Sequence, residues 1–203
     1  MGRLGIFGGT FNPIHNGHLH IAECFWQQMD LDSLLFIPSK RPTHKPAPDL
    51  ACSTHRLAMC RAALEGTPFS VSDLEVTRQS DSYTVYTLEE LHRQYPEERL
   101  YLLMGEDMFL TLLDWKAPEE ILSLCVVCVA PRSEDSRSRI LTYGKRLAAL
   151  GGQYALLDIP FLPVSSTEIR QRVQAGLPID HLMPDAARQY LYEHHLYQGG
   201  AYA

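Results

Sequence analysis

A chain of 203 residues, 45% hydrophobic and 21% charged, is sized for one α/β domain and has an ordinary globular composition. Its formal net charge of −6 argues against non-specific nucleic-acid binding, yet local cations could still hold a small anion. No apolar run approaches bilayer length, residue 3 onward reads as a strand rather than a signal peptide, and Ile6 breaks a myristoylation pattern, so a cytoplasmic protein with no membrane partner is expected.

The elements then follow in order. Residues 2–8 read as a first strand and 16–29 as a first helix, with Leu19, Ile21, Ala22, Phe25, Trp26 and Met29 at helical spacing. Leu34 to Ile37 is a second buried strand closed by Pro38, and 39–52 is a loop rich in proline and basic residues. Ser53 is placed to cap a helix over 54–65, Phe69 to Leu74 alternates as a third strand, and 75–82 reads as a polar loop. A third helix is expected at 84–94 and a fourth strand from Arg99 to Met104. Short helices at 107–113 and 118–123 precede a fifth strand from Cys125 to Ala130. A helix at 136–150, a strand from Tyr154 to Ile159, and helices at 166–175 and 185–195 complete the reading, with 199–203 as a frayed tail. Strands alternating with helices imply a mainly parallel, doubly wound sheet with helices on both faces. The whole reads as a single domain over 1–198, whose part from 166 is a small helical extension, with ligands at the C-terminal strand ends. The five cysteines read as reduced thiols, because Cys125 and Cys128 lie on opposite faces of one strand.

Two constellations carry chemistry. The first strand runs into Gly8, Gly9 and Thr10, and a helix follows, so glycines that admit close approach are joined to a helix start with free N–H groups. His15 and His18 fall three residues apart, on one face of that start. The pattern is neither a Walker loop nor a dinucleotide fingerprint. Near the other end, Ser165, Ser166 and Thr167 open a helix with hydroxyls and N–H groups, and Arg170 adds a cationic fork one turn on. Taken singly, each has a plainer explanation: a tight turn, surface histidines, an N-cap with a solvated arginine.

Gly9, Phe11, Pro13, His15, Gly17 and His18 spell G-x-F-x-P-x-H-x-G-H, which resembles the signature of the nucleotidylyltransferase superfamily. Val164 to Arg170 resembles its second signature, I-S-S/A-T-x-I-R, with Val164 in place of the leading isoleucine. Three further segments resemble the bacterial-type nicotinate-nucleotide adenylyltransferases: Ile37 to Lys45 (I-P-x-x-x-P-x-H-K/R), Ser82-Tyr83-Thr84, and Gly105-Glu106-Asp107 followed by Trp115. Asn12 stands where many relatives have aspartate, giving up a charge while keeping the capacity for local Asx hydrogen bonds.

The resemblance implies AMP transfer from ATP to nicotinate mononucleotide, giving deamido-NAD and pyrophosphate in NAD biosynthesis, without a covalent intermediate. It assigns His15, His18 and Arg170 to catalysis. ATP would be bound by Gly8, Gly9, Thr10, Phe11, His15, Gly17, His18, Gly105, Asp107, Ser166, Thr167 and Arg170. The mononucleotide would be bound by Thr10, Lys40, His44, Lys45, Ser82, Tyr83, Thr84, Trp115 and Arg132, with Trp115 stacking on the pyridinium. Mg²⁺ would arrive with ATP, and no protein-held metal or nucleic-acid partner is expected. From residues alone, Asp107 also suits an N-cap and Trp115 a partly buried core position. Nicotinamide mononucleotide or phosphopantetheine as acceptor, or a non-catalytic nucleotide sensor, stay open, as does the oligomeric state.

Overall fold

A computed structural model of the chain describes residues 2–41, 49–79, 81–131, 134–160 and 162–199. In chain order its elements are β1 (Gly2–Gly9), α1 (Asn16–Met29), β2 (Ser33–Pro38), α2 (Ser53–Leu64), β3 (Ser70–Val71), α3 (Leu74–Thr77), α4 (Thr84–Gln94) and β4 (Glu98–Gly105). Next come α5 (Glu106–Phe109), a 3-10 turn (Leu112–Asp114), α6 (Pro118–Leu124), β5 (Cys125–Ala130), α7 (Glu134–Ala149), β6 (Gln153–Leu156), α8 (Ser166–Gln174) and α9 (Asp185–Glu193).

The strands form one sheet in the order β3-β2-β1-β4-β5-β6. β1 pairs with β4, β4 with β5 and β5 with β6, all parallel, with Ile6 opposite Leu102 and Leu102 opposite Val127. This is the doubly wound order, and its direction reverses between β1 and β4. Ligands of such sheets bind beyond the carboxyl ends of the reversing strands. Those ends are Gly9 and Gly105, each of which opens a motif singled out in the sequence.

The chain resolves into two compact units. One comprises residues 1–8, 23–35 and 83–161. In it Leu100 to Met104 and Cys125 to Val129 are buried without a break, so both faces of β4 and β5 are covered and their sequences run apolar rather than alternating. Ile121, Leu122, Ile140 and Leu147 supply the helical side of that core. Phe109 stacks edgewise on Tyr143 and tilts against Tyr154, with centroids 5.7 and 5.9 Å apart.

The other unit comprises residues 9–22, 36–82 and 162–203. Here α2 buries Arg56, Leu57, Met59, Cys60, Ala63 and Leu64, and α9 packs on it through Ala187 and Leu191. The rings of Phe11, Phe36 and Phe69 form a chain with centroid spacings of 5.6 and 5.9 Å.

Several boundaries differ from the sequence reading. β3 is only two residues long, and part of the expected loop after it coils as α3. β6 stops at Leu156 rather than Ile159. Both are edge strands, held by one ladder instead of two, so alternation alone overstates their length. The helix expected at 107–113 is α5 followed by the 3-10 turn. Ser53 does not cap α2: it is the first helical residue, the cap position is Cys52, and no side chain caps there. All five cysteines are free, three of them buried, and burial holds the Cys125 and Cys128 thiols above their ordinary pKa. Among the described residues no helix is long and apolar enough to cross a membrane.

Candidate active site

The first motif forms a turn between β1 and α1. Phe11 is 2% exposed and adopts a left-handed backbone (φ 46°), which folds its ring back over Gly9. A Cβ on Gly9 would stand 2.7 Å from that ring, so only glycine fits beneath it. Gly17 is confined in the same way, since its Cβ would come within 3.0 Å of the His15 ring. A Cβ on Gly8 would meet nothing within 4 Å, leaving open space over that stretch of backbone.

His15 and His18 come together as their spacing implied. Their rings stack with centroids 3.7 Å apart, and Phe11 meets His18 edge-on at 5.0 Å. The His15 main-chain N–H donates to Nδ1 of His18 at 3.2 Å. That nitrogen is therefore the acceptor, so neutral His18 carries its proton on Nε2. Burial lowers both pKa values, that of His15 to about 4, and the neighbouring imidazole lowers His18 further. Both rings are neutral near pH 7, acting as hydrogen-bond donors rather than cations. Nδ1 of His15 is buried without a partner.

The second motif is bound to the first within the same unit. Ser165 caps α8 by accepting the Glu168 N–H at 3.2 Å. Ser166 donates its hydroxyl to the Pro13 carbonyl at 2.8 Å. Arg170 donates through Nη1 to the Asn12 carbonyl at 2.8 Å and through Nη2 to Thr167 Oγ1 at 3.4 Å, while its Nε is buried without a partner. The Ser166 proton is thus committed to Pro13, and with the Glu168 N–H taken by Ser165 it is the Ser166 and Thr167 N–H groups that the helix start offers an anion.

Three further residues hold this cluster, two of which sequence reasoning missed. Asn12, assigned to local Asx bonding, instead bonds far along the chain. Its Nδ2 donates to the Asp49 carbonyl at 2.9 Å, and its Oδ1 accepts from the Ala51 N–H at 3.1 Å and the Tyr197 hydroxyl at 2.7 Å. Arg56 is fully buried and donates to the carbonyls of Thr10 (2.5 Å), Ser39 (2.6 Å), Lys40 (2.9 Å) and Ala51 (3.0 Å). Its only signal was a charge set among the apolar positions of a helix. Tyr197 lies beyond α9 with no motif to mark it.

Lys40 and Ser82 also meet. The Lys40 N–H donates to Ser82 Oγ at 3.1 Å, and its Nζ donates to the Arg78 carbonyl at 2.7 Å, tethering the side chain. His44, Lys45 and Arg132 lie outside the described residues.

The remaining predicted residues belong to the other unit. Tyr83 occupies the cap position of α4 without a side-chain cap bond, and Thr84 is the first helical residue. The Lys116 ammonium sits over both Tyr83 and Tyr86, 4.6 and 4.7 Å from their centroids. Trp115 is half-buried, ending the 3-10 turn, and its indole N–H reaches Thr111 Oγ1 at 3.4 Å. Gly105 occupies the cap position of α5; Asp107 is exposed in its first turn and is not the N-cap. Glu106, between them, is buried and ion-paired with Arg139.

Taken together, the first cluster offers backbone N–H groups, neutral imidazole donors and a guanidinium, a donor set suited to phosphate oxygens. Among the described residues no three His, Cys, Asp or Glu side chains are grouped to hold a metal ion.

Comparison with known proteins identifies the family. The Cytidylyltransferase-like family model matches residues 6–172. Two bacterial relatives are each named "Probable nicotinate-nucleotide adenylyltransferase". The one from Lachnoclostridium phytofermentans is 37% identical over 202 residues, covering 97% of this chain and 100% of the relative. The one from Synechococcus sp. (strain JA-3-3Ab) is 40% identical over 196 residues, covering 96% and 94%. The solved structure of Plasmodium falciparum nicotinic acid mononucleotide adenylyltransferase complexed with NaAD shares the fold, with a TM-score of 0.76 at 17% identity over 98% of this chain and 99% of that one. With this fold, these motifs and relatives of that identity along nearly its whole length, the chain belongs to the nicotinate-nucleotide adenylyltransferase family.

Proposed function

We propose that this chain transfers AMP from ATP to nicotinate mononucleotide, releasing pyrophosphate and forming nicotinate adenine dinucleotide. A phosphate oxygen of the mononucleotide attacks the α-phosphorus of ATP in line, and the bond to the β-phosphate oxygen breaks. The nucleophile is already an anion, so the protein needs no covalent intermediate and no strong base. Its work is positioning and stabilising charge.

The observation that carries this reading is the joining of the two phosphate motifs, with Arg170 on the Asn12 carbonyl and Ser166 on the Pro13 carbonyl, beside a His18 whose proton sits on Nε2. His18 Nε2–H is assigned to the α-phosphate, where charge develops. His15, the Gly8 to Phe11 backbone and Gly17 are assigned to the triphosphate. Arg170, Thr167 and the α8 amides take the β and γ positions, and Gly105 and Asp107 the nucleoside. Mg²⁺ comes bound to the triphosphate as part of the substrate, since the protein cluster supplies donors and cations rather than oxygen ligands. Tyr83, Thr84 and the α4 amides are assigned to the pyridine carboxylate, Trp115 to the pyridinium face, and Lys40, His44, Lys45, Ser82 and Arg132 to the mononucleotide's polar groups.

The test is pyrophosphate release with ATP and each of nicotinate mononucleotide, nicotinamide mononucleotide and phosphopantetheine in parallel. Nicotinate mononucleotide is expected to give the highest kcat/KM. A preference for another acceptor overturns the substrate assignment, and ATP binding without release from any of them overturns the catalytic one.

A further inference from the structure

Arg56 is a buried cation. Its side chain is fully buried, and among the described residues the four groups it bonds are neutral main-chain carbonyls: Thr10, Ser39, Lys40 and Ala51. Isolated buried charges are costly, and an arginine stays protonated even where burial pulls its pKa down. The position must return something that a neutral side chain would not.

The bonds at the turn indicate what. The Gly9 carbonyl accepts from the Ser39 N–H at 2.9 Å, and the Thr10 carbonyl accepts from Arg56 Nη1 at 2.5 Å. Across a trans peptide the N–H points opposite to its C=O. Fixing these two carbonyls therefore turns the Thr10 and Phe11 amides the other way, away from Ser39 and Arg56. Phe11 follows with a left-handed backbone, the kind of local reversal that brings successive N–H groups into a concave anion-binding nest. Arg56 also ties this turn to two other stretches, Ser39–Lys40 and Ala51, through the three prongs of one planar group.

We propose that Arg56 is a positioning residue for the triphosphate: it fixes the direction of the Phe11 amide directly and that of the Thr10 amide through Ser39, and backs them with a buried positive charge that the bound anion neutralises. This rests on the reading that the turn takes ATP's phosphates. Lysine can carry the charge but cannot reach four carbonyls in a fork, so Arg56→Lys separates charge from geometry.

The experiment compares Arg56→Lys with Leu191→Ala, a cavity on α9 that lowers stability without touching the turn. Arg56→Lys is expected to lose roughly tenfold or more in kcat/KM for ATP, the scale of a modest misplacement, with little change in KM for nicotinate mononucleotide at saturating ATP. Leu191→Ala is expected to lose melting temperature but keep both constants. An Arg56→Lys enzyme that is only destabilised, with kcat/KM for ATP intact, overturns the proposal. Should that variant not fold, the unaltered protein decides. In a ¹H–¹⁵N titration with inorganic tripolyphosphate, the Thr10 and Phe11 amides must be among those that shift, and the proposal falls if they are not. Shifts in a protein inactive toward nicotinate mononucleotide uphold Arg56's role and sink only the acceptor assignment.

Discussion

The His15 main-chain N–H and the Nδ1 of His18, 3.2 Å apart, settle which nitrogen of His18 bears a proton. With Nδ1 an acceptor, Nε2–H is a donor without any need for positive charge. His18→Ala removes it, and turnover should fall by about 10²-fold or more, the scale of one lost transition-state donor. His18→Gln, whose amide nitrogen stands near the place of Nε2 but which offers nothing to the His15 N–H, should lie between. Steady-state pyrophosphate release measures both; near-normal turnover of the alanine variant removes His18 from the chemistry.

Acid should destabilise the fold through the same pair. The His15 pKa drops from 6.5 in the unfolded chain to about 4 on folding, so below pH 6.5 the unfolded state binds more protons and stability falls with pH until about pH 4. His15 alone accounts for a loss of about 2 kcal/mol between pH 7 and pH 5. His18, also lowered, acts in the same direction. Urea unfolding at the two pH values measures the loss, and His15→Asn should flatten the slope. A wild-type midpoint unchanged at pH 5 contradicts it.

Asn12→Asp tests whether the amide at that position is needed. Aspartate keeps the acceptor for Ala51 and Tyr197 but sets a carboxylate oxygen against the Asp49 carbonyl, which now receives a bond from Asn12 Nδ2. The unmade buried bond should cost about 1–3 kcal/mol. For a chain of this size that is a melting-temperature drop of about 2–4 °C per kcal/mol, readable by thermal unfolding. A variant as stable as the parent shows that the Asp49 bond contributes nothing.

Trp115→Ala should raise KM for nicotinate mononucleotide by about 10-fold, through loss of a cation–π face of about 1–2 kcal/mol, while leaving KM for ATP unchanged. Trp115→Phe should lose less. An equal rise in both constants would mean that Trp115 serves the fold instead.

How far the sequence could be read depended on what each residue answers to. α1 and β5 match the spacing to the residue, because long periodic runs buried by packing declare themselves. The edges β3 and β6 and the broken helix before Trp115 did not, since each depends on neighbours rather than on its own pattern. In the candidate site the histidine pair and the Ser165 cap were legible from spacing. Arg56 and Tyr197 were not, because their partners are main-chain carbonyls and a side-chain oxygen distant in sequence, which impose no residue pattern. Asn12 was seen but given the wrong partners for the same reason.

The bond from Tyr197 to Asn12 also bears on the order of synthesis. Asn12 is made well before its hydroxyl partner, which follows 185 positions later. While the chain is still emerging from the ribosome, the turn lacks that partner and its α8 anchors. The turn around Asn12 is therefore completed only after the chain through Tyr197 has been made.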